Sequence, residues 1–287
     1  MADGVAAVYI AATDRVWVAR SGSGLNILNP STGAVLSNPV PGQVDQLVTV
    51  PLSARVFYRD LAANEVRSAD CVTGADDALL VAGGIVMPVY DETNPYVYVE
   101  TSAGELAIYN SNTLALVSTT ATLSAVNFGC PAYVPANNRV YVGVDGVGVR
   151  VYNPLTGALV TTIAYGAAYL FYGAVWSPEA ARVVLVAYNG TADEAIFIDP
   201  TSNLVTDTLA LPTSVSDTKN STFRSLNTGA VYAISGGDPA VINPLTPEVV
   251  CSISMVGTIP KNLAFATSNE TVWFADAFET RVERFTE

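Results

Sequence analysis

Apolar and polar positions alternate along this chain in short runs, and the runs return at a near-constant interval. The clearest is Arg15-Val16-Trp17-Val18, repeated as Arg55-Val56-Phe57-Tyr58, Tyr96-Val97-Tyr98-Val99 and Arg139-Val140-Tyr141-Val142. It comes again as Arg182-Val183-Val184-Leu185, Ala230-Val231-Tyr232-Ala233 and Thr271-Val272-Trp273-Phe274. The starts lie 40, 41, 43, 43, 48 and 41 residues apart. A period of that length marks a repeat architecture whose units are each too small to bury their own apolar face. The runs are rich in β-branched and aromatic residues, as half-buried strands are. No segment keeps a 3.6-residue period for three turns, which excludes a helical solenoid.

The fourth copy shows the unit in full. Ala132-Tyr133-Val134-Pro135 leads through Asn137-Asn138 to Arg139–Val144, then through Asp145-Gly146 to Val149-Arg150-Val151-Tyr152. Asn153-Pro154-Leu155-Thr156-Gly157 then opens the run from Ala158 to Ile163. Every break carries Gly, Asn, Asp or Pro, the residues that impose or tolerate tight turns. The unit is therefore a meander of four strands, A to D. Its C–D turn recurs as Asn29 to Gly33, Asp70 to Gly74, Asn110 to Thr113, Asp199 to Asn203 and Asn243 to Pro247. The leading Asn or Asp can bond its own backbone two residues on, which is a sufficient structural reason for the motif.

Seven copies of strand B predict an all-β fold, a seven-bladed β-propeller of four-stranded antiparallel blades around a central channel. The blades are expected at 4–40, 45–82, 85–122, 127–165, 170–211, 222–256 and 261–287, within one domain. The last of these has A, B and C runs but no residues for strand D, so the expectation is either a three-stranded final blade or a longer native C-terminus.

Composition narrows the partners. Half of the residues are hydrophobic and 14% are charged, which excludes disorder. A net charge of −13 argues against nucleic acid, which demands a basic stripe, and against anionic lipid. No run approaches the roughly 20 apolar residues of a membrane span. Met1-Ala2-Asp3-Gly4 lacks a basic region before an apolar core, so no secretory signal is visible; the expectation is a soluble protein of open compartment, the cytoplasm favoured, and a monomer unless it is part of an assembly. Cys71, Cys130 and Cys251 are odd in number and far apart, which is not a disulfide framework.

The units Val-Tyr-Val and Val-Xaa-Val-Tyr-Asn-Pro-Xaa-Thr-Gly-Xaa-Val resemble those of the YVTN-type seven-bladed propellers, among the WD40-like and quinoprotein amine dehydrogenase-like group. The resemblance runs from Arg15 to Phe285, and Trp176-Ser177-Pro178-Glu179 is similar to a turn of that group. WD40 Trp-Asp and Gly-His signatures are missing, as are the paired glycines of kelch blades. The resemblance implies a binding or cell-surface role in many members and catalysis in a few.

The chain contains no histidine. Ser-His-Asp and Cys-His nucleophiles, His-ligated metals and His general bases are thereby removed. Carboxylate, tyrosine and arginine chemistry remains. In a propeller the D–A and B–C loops share one face, where ligands usually meet the channel mouth. The B–C loops offer Arg20, Arg59, Asp60, Glu100, Asp145, Asn189, Asp193, Glu194, Asp238 and Asp276, and the D–A side offers Asp45, Gln46, Asn127, Tyr172, Asp217, Lys219, Arg224, Lys261 and Asn262. Paired carboxylates there can hold Ca²⁺ through oxygen ligands or act as acid and base; no other cofactor is expected. The long interval between the fifth and sixth copies falls at residues 213–220, and Tyr165, Tyr169, Phe171, Tyr172 and Trp176 gather at the passage from the fourth to the fifth. Insertions and exposed tyrosines on one face are the marks of a partner surface.

The expected function is a non-catalytic propeller presenting its D–A/B–C face to a protein or glycan. One alternative is a small-molecule binder or His-independent enzyme, with Arg20, Arg59, Glu100, Arg224 and Asp276 converging on one cavity. Another is a subunit of a surface or cytoskeletal assembly.

Overall fold

A computed structural model describes residues 5–10, 13–20, 24–50, 53–87, 95–123, 129–212, 222–225, 228–233, 239–253, 260–266, 271–276 and 282–286. Its sheets are all antiparallel, with no α-helix among the described residues.

The sheets follow one another along the chain. The first holds Val5–Ile10 (β1), Arg15–Arg20 (β2), Gly24–Leu28 (β3) and Val35–Val40 (β4). The second holds Val44–Thr49 (β5), Arg55–Asp60 (β6), Glu65–Asp70 (β7) and Asp76–Ala82 (β8). The third holds Ile85–Met87 (β9), Tyr96–Glu100 (β10), Leu106–Asn110 (β11) and Leu116–Thr119 (β12). The fourth holds Ala132–Val134 (β13), Arg139–Val144 (β14), Gly148–Tyr152 (β15) and Leu159–Ala164 (β16). The fifth holds Leu170–Ser177 (β17), Arg182–Tyr188 (β18), Asp193–Asp199 (β19) and Leu204–Ala210 (β20). The sixth holds Thr222–Arg224 (β21), Val231–Ala233 (β22), Ala240–Asn243 (β23) and Glu248–Ser252 (β24). The last has three strands, Pro260–Ala266 (β25), Thr271–Asp276 (β26) and Val282–Thr286 (β27).

Each sheet is a meander, and the core lies between sheets. Val56 and Tyr58 of β6 pack with Trp17 and Leu25 of the first sheet, while Phe57 turns to Val97 and Tyr109 of the third. Because successive side chains of a strand point to opposite faces, a strand buried on both must be apolar throughout. That is why the B runs read as unbroken hydrophobic segments. Further layers join the third sheet to the fourth, the fourth to the fifth and the fifth to the sixth. The backbone of β1 lies beside β5 of the second sheet and β25 of the last.

The C–D turns carry out both halves of their sequence logic. Asn29 Oδ1 accepts the N–H groups of Ser31 and Thr32 at 2.9 and 3.0 Å, and Asp70 Oδ1 accepts those of Val72 and Thr73 at 2.9 and 2.7 Å. The left-handed residue is Gly157 in the fourth sheet (φ 68°) and Asn203 in the fifth (φ 56°). In the third sheet it is Leu114 (φ 60°), which pattern reading does not anticipate.

These turns also tie sheets together. Ser118 Oγ donates to Pro154 O at 2.6 Å, and a Cβ on Gly157 would stand 2.3 Å from Thr119 O. Tyr141 Oη donates to Asn203 Oδ1 at 2.9 Å, and Asn137 Nδ2 to Pro200 O at 2.9 Å. A motif that sequence explains as a turn former is therefore also a docking point for the preceding sheet.

Candidate functional site

The last residues of β2, β6, β10 and β26 are Arg20, Asp60, Glu100 and Asp276, so the topology sets these at the B–C ends of the first, second, third and last sheets. The side chains of Arg20 and Asp276 lie outside the described part of the structure, as do Asp217 and Lys219 entirely. Arg59 and Glu100 are half-buried. Asp60 is used locally, its Oδ1 accepting the N–H groups of Ala62 and Ala63 at 2.9 and 3.1 Å.

Arg224 is a correction. Sequence reasoning sets it on the D–A side, but it is the last residue of β21 and pairs with Val231, at the A–B end of its sheet. There its buried guanidinium forms an ion pair with Glu179 on the A–B turn of the fifth sheet, with Nε also donating to Oε2 at 3.2 Å. Burial pushes Glu179 up, but the hydrogen bond and charge of Arg224, with help from Ser177, outweigh it and hold the carboxyl below its ordinary value. Arg224 thus fastens two sheets on the opposite face and cannot join the B–C arginines in one cavity. Glu179 is the partner that sequence reasoning missed; its signal was the Ser-Pro-Glu turn.

The residues the structure does bring together lie between the fourth and fifth sheets. Asp145, in the B–C turn after β14, is buried, and its Oδ1 accepts the N–H of Phe171 at 2.7 Å. The next residue, Gly146, donates its N–H to Tyr169 O at 2.9 Å. Cys130 N–H donates to Tyr172 O at 3.3 Å and Cys130 O accepts Ala174 N–H at 2.9 Å, so backbone zips the inner edges together. Tyr172 is buried at the irregular step of β17 between Phe171 and Gly173. It belongs to the scaffold, not to the surface.

Tyr169 is half-buried above this frame. Its ring stacks on Phe171 at 6.1 Å and meets Tyr165 edge-on at 4.7 Å. Its hydroxyl donates to Glu194 Oε1 at 2.8 Å, and Asn189 Nδ2 donates to Glu194 Oε2 at 3.1 Å. Burial raises the Tyr169 phenol, the hydrogen bond to Glu194 and that carboxylate's charge raise it further, and together they take it to about 12. Tyr165 is also raised, by burial first and then by the charges of Tyr169 and Glu194. The connecting loop closes with Tyr169 N–H on Gly166 O at 3.1 Å, leaving Gly166, Ala167, Ala168 and Leu170 exposed. Among the described large apolar side chains that are exposed, all but Leu170 stand on D strands or C–D turns. Leu170 is 41% exposed on the other face.

Other chemistry is not assembled by the described residues. No group of three or more Cys, Asp or Glu among them is placed to hold a metal ion. The carboxyls whose acidity departs from the ordinary value, Asp70, Glu179 and Asp199, are all lowered. No helix among them is long and apolar enough to cross a membrane.

No family model and no curated protein sequence matches the chain. Solved structures do match. Hydrazine synthase of Kuenenia stuttgartiensis superposes with a TM-score of 0.76 at 11% identity, over 100% of this chain and 95% of that one. A chain of a mitotic checkpoint complex gives 0.77 at 12% identity, over 100% and 87%. At such identities the likeness is one of fold: small antiparallel sheets in a β-propeller architecture.

Proposed function

We propose that the chain is a seven-bladed propeller of the YVTN type that serves as a non-catalytic binding scaffold, docking a protein through the corner between its fourth and fifth sheets. The observation that carries this is the exposed Leu170 and Gly166–Ala168 tip, held on a base of Tyr165, Tyr169 and Phe171. An apolar anchor on a rigid aromatic base, with polar groups at its rim, is the composition of an interface hot spot. A propeller neighbour found within a multi-protein assembly is consistent with such a role. A photo-reactive residue at position 168 should give discrete cross-linked adducts in cells. The same group at the opposite rim, position 155, should not; adducts from 155 alone would sink the reading.

The alternative of a carboxylate–arginine enzyme or small-molecule site loses Arg224, committed to Glu179 on the other face. Assembly into a larger surface structure is favoured by one observation. Val35, Leu36, Leu159, Leu204 and Val250 leave apolar side chains exposed along several D strands. Light scattering at rising concentration separates that reading from a monomeric scaffold.

A further inference from the structure

Resting on that docking reading, we infer that the partner seated on the fourth–fifth corner presents a basic segment, an Arg or Lys beside an apolar residue. The apolar residue packs on Leu170 and the Ala167–Ala168 tip, and the cation reaches Glu194 alongside Tyr169.

Charge complementarity decides the occupant. The corner is built from residues 143–149, 164–173 and 187–195, which contain no Lys or Arg; of their carboxylates Asp145 and Asp193 are buried, and Glu194 is the half-buried one. The two named donors to Glu194, the Tyr169 hydroxyl and the Asn189 amide, are neutral. They fix the carboxylate's orientation without cancelling its charge. A carboxylate held in place and accompanied by aromatic rings favours a cation, through a charge-assisted hydrogen bond and the rings' negative faces. The exposed alanines and Leu170 suit the aliphatic stem that Lys and Arg carry. At long range, a net charge of −13 slows acidic partners and steers basic ones inward. A neutral apolar partner would dry the half-buried Glu194 carboxylate and bring it no opposing charge.

A random dodecapeptide library panned against the intact protein tests this, with Leu170→Ser and Glu194→Gln as counter-selections and circular dichroism to establish that both variants fold. Peptides that bind wild type and are lost on Leu170→Ser should be enriched in Arg or Lys next to Leu, Ile or Phe. By fluorescence anisotropy, the best of them should bind about 5-fold or more weakly to Glu194→Gln, as expected for losing a charge-assisted contact. It should bind normally to Glu248→Gln on the far face. If the peptides lost on Leu170→Ser are neutral or acidic, the docking reading stands and the basic partner is wrong. If Glu248→Gln weakens basic peptides as much as Glu194→Gln, the attraction is diffuse and the site is wrong. If no peptide responds to Leu170→Ser, the docking reading itself falls.

Discussion

Asp145 Oδ1 accepts the backbone N–H of Phe171 at 2.7 Å, so a turn of the fourth sheet fixes the first strand of the fifth. The amide is buried, and a buried donor left without an acceptor costs its desolvation, about 1–3 kcal/mol. Asp145→Ala should lower stability by that amount, whereas Asp145→Asn keeps an acceptor oxygen and should cost much less. Urea unfolding midpoints of the two variants measure the difference. Equal effects would mean that the charge, not the acceptor, is what the fold uses.

Gly143 has no room for a side chain. A Cβ there would lie 2.4 Å from the Cβ and ring of Phe171. Overpacking of this kind costs about 1–3 kcal/mol. Gly143→Ala should therefore destabilise the protein and displace Tyr169, which stacks on the same ring. Combined with Phe171→Ala, the extra methyl meets a void instead of a ring. The double variant should lose clearly less than the sum of the single losses, as contacting residues do. Additive losses would refute the contact.

Arg224 and Glu179 set the acid limb of stability. The Glu179 carboxyl is held below its ordinary value, so the stability it adds is complete above the unfolded carboxylate value of about 4.3. It is lost as pH falls through the lower folded value. At neutral pH Glu179→Gln removes the counter-charge of a buried guanidinium but leaves a neutral acceptor. The expected cost is about 1–3 kcal/mol, limited because Glu179 is itself partly exposed. The gap between wild type and variant should close as pH falls through the lowered Glu179 value. A gap that persists at pH values where Glu179 is protonated would show that shape, not charge, is at work.

Much of the architecture was legible because its cause is local. The unbroken apolar B runs reflect burial on both faces, seen in Val56, Phe57 and Tyr58. The Asn/Asp-Pro turns reflect bonds made within a few residues. What sequence left hidden is the pairing of residues across sheets. Arg224 and Glu179 lie 45 positions apart, and nothing in either neighbourhood names the other. Tyr141 reads as one more core aromatic until the 62-residue separation from Asn203 is closed by the fold. Leu114 takes a left-handed conformation where Gly stands in sister turns, and its side chain packs against a neighbouring core layer, which pattern alone does not reveal. The candidate corner was half visible: the tyrosine cluster announced itself, but the role of Glu194 needed the Tyr169 contact.

Tyr169 ties the corner to the alkaline limb. Its phenol is raised to about 12, by burial first, then by the hydrogen bond to Glu194 and that carboxylate's charge. The fold therefore favours the neutral phenol. The stability this adds is whole below the unfolded tyrosine value of about 10 and is lost as pH climbs through the folded value. Near-ultraviolet titration should show a late-ionising class of tyrosines, and Tyr169→Phe should remove one member of it. The same variant should cost about 0.5–1.5 kcal/mol at neutral pH through the lost hydrogen bond. It should also flatten the fall in stability above pH 10, since a phenylalanine has nothing to ionise. Glu194→Gln should instead keep the phenol and bring its ionisation down, because the charge opposing the phenolate is gone. If Glu194→Gln leaves the late class unmoved, Tyr169 is raised by burial alone, and the Tyr169–Glu194 pair is not the electrostatic unit on which the corner depends.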